Sequence, residues 1–114
     1  MNKVIGTLTT QQEAILVGDH HIVTSGAIAD EEAAFGGGTL LYKGEDGYQA
    51  LAANDDENKP VAVALEPLEA EASDSVVVIA VHGAVRREKL CFKGGTAVTD
   101  AAVEDLRAAG IYAL

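Results

Sequence analysis

Six consecutive residues, Val76-Val77-Val78-Ile79-Ala80-Val81, carry no polar side chain and are bounded by Ser75 on one side and His82-Gly83 on the other. Their β-branched side chains are stiff at χ1 and favour an extended backbone. A short apolar run of this kind, closed by turn residues, is predicted to be a strand buried on both faces. The core around it is necessarily aliphatic. Hydrophobic residues make up 48% of the 114-residue chain, yet aromatics are only 4% and there is no Trp. A chain of this length fits one domain, here taken as residues 14–114 preceded by an arm of residues 1–13. Each aliphatic side chain contributes about 1.5–3 kcal/mol on full burial, so a thin core gains from association with further subunits.

Shorter signals surround that run. Ala14 to Val17 and His21 to Thr24 are β-prone, separated by Gly18-Asp19, a turn signal. Thr39 to Lys43 and Tyr48 to Ala52 read as a hairpin about Gly44-Glu45-Asp46-Gly47, whose glycines permit positive φ. Val61, Val63 and Leu65 alternate with Ala62 and Ala64, which predicts a strand with one large apolar face and one small-residue face. Gly83 is expected to turn the chain into Ala84 to Glu88, and Leu90 to Phe92 either continues that strand or begins another. A helix is expected from Asp100, as N-cap, to Gly110 at the C-cap, with Ala102, Leu106 and Ala109 on one face. The fold class is therefore mainly β (α+β): a small β-barrel or sandwich-like domain with a short C-terminal helix.

The formal net charge of −10 argues against nucleic-acid binding, which needs clustered Lys and Arg. The one basic cluster, Arg86, Arg87 and Lys89, is interrupted by Glu88. The single cysteine, Cys91, precludes an intrachain disulfide, fits a reducing compartment and reads as a small buried hydrophobe between Leu90 and Phe92. Nothing approaches the about 18 apolar residues of a membrane span, and the first residues do not resemble a signal peptide. The expectation is a soluble intracellular product.

Reactive chemistry finds little support. Gly36-Gly37-Gly38-Thr39 lacks the Lys and the following helix of a phosphate loop, and a turn is the simpler reading. His20 and His21 are neighbours on a strand and point to opposite faces, so they do not chelate one ion; His82 stands alone. Asp30-Glu31-Glu32 and Asp55-Asp56-Glu57 are acidic runs without the spacing of a calcium loop. No elbow motif surrounds Ser25, Ser73 or Ser75. Lys43 lacks the context of a lipoylated lysine. No catalytic residue, cofactor or metal is expected, and the chain reads as a binding protein and not an enzyme. A small-ligand or carbohydrate-binding β domain is the rival reading, and requires several of Phe35, Tyr42, Tyr48, Phe92 and Tyr112 on one concave surface.

Between Phe35 and Val85 the order of motifs is more specific. Gly38-Thr39-Leu40-Leu41 opens a strand, a charged turn ends at Gly47, and Pro60-Val61-Ala62-Val63-Ala64-Leu65-Glu66 follows. An acidic spacer then leads to Val76–Val81 and Gly83-Ala84-Val85, with Leu106-Arg107-Ala108-Ala109-Gly110-Ile111-Tyr112 near the end. This sequence resembles the lambda-type head decoration proteins of tailed bacteriophages, over about 80 residues. Members of that group commonly carry Gly where this chain has Ala62. The resemblance implies a homotrimer on the outside of the expanded capsid, made in the bacterial cytoplasm and clamping major capsid subunits. It also implies an N-terminal arm that pairs with a capsid strand by β-augmentation, with Lys3, Val4, Ile5, Thr7 and Leu8 as the contact residues. A head fibre or another virion surface protein is the nearest alternative.

Overall fold

The computed structural model describes residues 15–28, 35–44, 47–52, 58–68 and 76–114. Among these residues six strands form one sheet: β1 (Leu16–Ala27), β2 (Leu40–Lys43), β3 (Tyr48–Ala50), β4 (Ala62–Ala64), β5 (Val76–Val85) and β6 (Ile111–Ala113). A 3₁₀ turn covers Arg87–Lys89, and the helix α1 spans Asp100–Ala108. The strand order is β1-β5-β4-β2-β3, antiparallel throughout, while β6 joins β5 in parallel. A single bridge from Ile28 to Tyr48 links the two ends of that path, so the sheet curls back on itself. The mainly β, α+β class expected from the sequence is what the chain adopts.

The apolar run sits at the centre of this sheet, flanked by β1 and β4. Val78 and Ala80 join one hydrophobic cluster, and Val77 and Ile79 join another. Both faces of β5 are therefore covered, as the absence of polar residues demands. The second cluster takes Ile28, Leu41, Ala50, Ala62, Ala64, Val77 and Ile79 with Phe35 and Leu68. It draws on β2, β3, β4 and β5, and three of its strand residues, Ala50, Ala62 and Ala64, are alanines. Gly26 belongs to the same economy of space, since a β-carbon there would lie 2.7 Å from Ile79 Cδ1. The first cluster packs Leu40, Val63 and Leu65 under Ala102 and Leu106 of α1, with Phe92 and Ile111.

Alternation on β5 breaks near its end. Val85 lies in the same cluster as Val78 and Ala80 although an odd number of steps separates it from Ala80. The pairing with β1 slips at the same place: Ile22 faces His82 but Val23 faces Ala80, leaving Val81 as an extra residue. Such a bulge re-aims every side chain beyond it, and Gly83, at φ +119°, lies just after it without ending the strand, so the turn expected there does not form.

Several boundaries differ from those expected. Gly18 does not divide two strands; it takes φ +72° inside one bulged strand, β1, whose register shifts between Val17 and Ile22. A turn residue is here absorbed as a bulge because β5 is long enough to pair on both sides of it. β5 runs four residues past Val81, and Leu90–Phe92 forms no strand: Arg87–Lys89 coils into the 3₁₀ turn and Cys91 makes only isolated bridges to Thr39 and Ala97. The N-cap of α1 is Thr99, not Asp100; the Thr99 hydroxyl accepts from the Ala102 amide at 3.2 Å, which leaves Asp100 in the first turn beside the positive end of the helix dipole. Glu66 also has a structural task. Its carboxylate accepts the Val78 amide at 3.0 Å, next to the backbone bond from the Leu65 amide to the Val78 carbonyl.

Candidate docking surface

The five residues expected to meet a capsid, Lys3, Val4, Ile5, Thr7 and Leu8, lie outside the described residues, as do the acidic runs at 30–32 and 55–57. The side chains of His20 and His21 are likewise outside them, although both residues belong to β1. Among the described residues, no three His, Cys, Asp or Glu side chains gather as a metal site, and no helix is long and apolar enough to cross a membrane.

The glycine-threonine motif proves to be a packing device. Gly38 adopts φ +88°, and a β-carbon there would fall 1.9 Å from the Lys89 carbonyl oxygen. Its amide donates to Ala64 and its carbonyl accepts from Cys91, at 2.7 and 3.0 Å. Thr39 is buried, with its hydroxyl donating to the Gly36 carbonyl at 2.7 Å and lying 3.6 Å from Cys91 Sγ. Cys91 itself is half-buried, not enclosed as expected, because the strand it was assigned to does not form.

The aromatic residues are dispersed. Phe35 and Phe92 are buried in different clusters. Tyr42 donates to Gln49 at 2.7 Å, and Tyr48 lies under the Lys43 ammonium, 4.5 Å from its ring centre. Only Tyr112 is exposed. They do not line one concave surface, which is the arrangement that a carbohydrate-binding face requires.

What the surface does offer lies at the end of the sheet where β1, β5 and β6 meet. Ile22, Tyr112 and Leu114 are the large apolar side chains exposed among the described residues, at 57%, 44% and 72%. Ile22 stands opposite His82 on β5, and the His82 ring meets Tyr112 edge-on, 6.4 Å between centres and 85° between planes. Gly110, at φ +93° just beyond α1, makes room for that histidine, since a β-carbon there would lie 2.9 Å from its Nδ1. Leu114 separates two grooves. One, of about 300 Å³, runs between α1 and β6 past Val103, Arg107 and Tyr112. The other, of about 650 Å³, is lined by Arg87, Glu88, Leu90, Ala97 and Val98. Among the described residues β6 pairs with β5 alone, and so does β1, with the Ile28 bridge just beyond its end. Sequence reasoning missed this corner. Its one signal is the short apolar segment Ile111-Tyr112-Ala113-Leu114 after Gly110.

The chain matches no protein-family model and no curated protein.

Proposed function

We propose that this chain is a capsid-stabilising decoration protein of a tailed phage or prophage, acting by binding and not by catalysis. It associates as a homotrimer on the exterior of the expanded shell and clamps neighbouring major capsid subunits. The observation that carries the reading is where the motifs of the resemblance fall. Gly38, Leu40, Leu41, Val63 and Leu65 are all buried, and they knit β2, β4 and the segment after the 3₁₀ turn into the centre of the molecule. The resemblance thus rests on residues that set the fold. An acidic surface, an aliphatic core and exposed Ile22, Tyr112 and Leu114 suit a protein whose partners are other subunits. An arm that orders on docking loses conformational entropy, and three arms per particle offset that loss through avidity.

The reading predicts a solution mass three times the 11.8 kDa of one chain, measured by light scattering on the purified protein. A strict monomer at tens of micromolar removes the trimer. Exchange of Tyr112 and Leu114 for Ser is expected to weaken the trimer if the exposed corner forms its contacts.

A further inference from the structure

We draw no further inference here: the strongest candidate, the exposed apolar corner of Ile22, Tyr112 and Leu114 where β1, β5 and β6 meet, carries none because nothing in the structure shows what covers it.

Discussion

Gly38→Ala is expected to destabilise the protein by upwards of about 3 kcal/mol, a large part of the about 5–15 kcal/mol that holds a domain of this kind folded. Two penalties act together. An alanine at φ +88° sits in backbone space that side chains rarely adopt. Its methyl group would also occupy a point 1.9 Å from the Lys89 carbonyl, and a backbone oxygen has no flexible end to swing away. Relief requires the 3₁₀ turn to move, which breaks the Cys91-to-Gly38 bond and loosens the bridge from Thr39 to Cys91. Gly36→Ala is the matched control: nothing lies within 4 Å of its β-carbon position and its φ is not positive, so a change within about 0.5 kcal/mol is expected. Urea melts of the two variants decide it. Near-equal midpoints would contradict the packing role assigned to Gly38.

Leu40→Ala and Leu41→Ala are each expected to cost about 2–5 kcal/mol. The two residues are neighbours on β2, so their side chains point to opposite faces of the sheet. Both are fully buried, Leu40 in the first cluster with Ala102 and Leu106 of α1 and Leu41 in the second with Ile28, Phe35 and Leu68. A sheet with one face in water would register only one of these losses, since truncating an exposed leucine changes little. Two comparable losses in urea melts therefore report two covered faces. A negligible cost at Leu41 would mean that the curl around Ile28, Phe35 and Leu68 does not close.

These two variants also mark how far the sequence could be read. The centre of the fold was legible because its signals are local: β-branched residues in an unbroken run, alternation through Val61–Leu65, and glycines flanking a short charged turn. The helix α1 was legible by its alanines and the glycine after it, though the cap fell to Thr99, which sits one residue earlier with the hydroxyl to reach the Ala102 amide. What failed were features set by distant partners. Nothing beside Gly18 reveals that β5 will pair on both sides of it, and nothing in Leu90–Phe92 reveals that the 3₁₀ turn ahead of it will end β5. The role of Gly38 depends on a carbonyl fifty-one residues away in sequence, at Lys89. The exposed corner of Ile22, His82 and Tyr112 joins three strands whose pairing no local pattern encodes. The arm residues Lys3 to Leu8 lie outside the described residues, so the candidate contact with a shell rests on the sequence resemblance.

Co-sedimentation with expanded, undecorated capsids of the phage or prophage whose genome encodes the chain tests the central proposal most directly. The full chain is expected to pellet with the shells, to saturate at a fixed number of copies per capsid, and to raise the temperature at which the shells disrupt. The same chain lacking residues 2–12 is expected to keep its melting behaviour and remain in the supernatant. Failure of the full chain to bind expanded shells at any concentration would contradict the decoration reading, and undiminished binding by the truncated chain would contradict the arm.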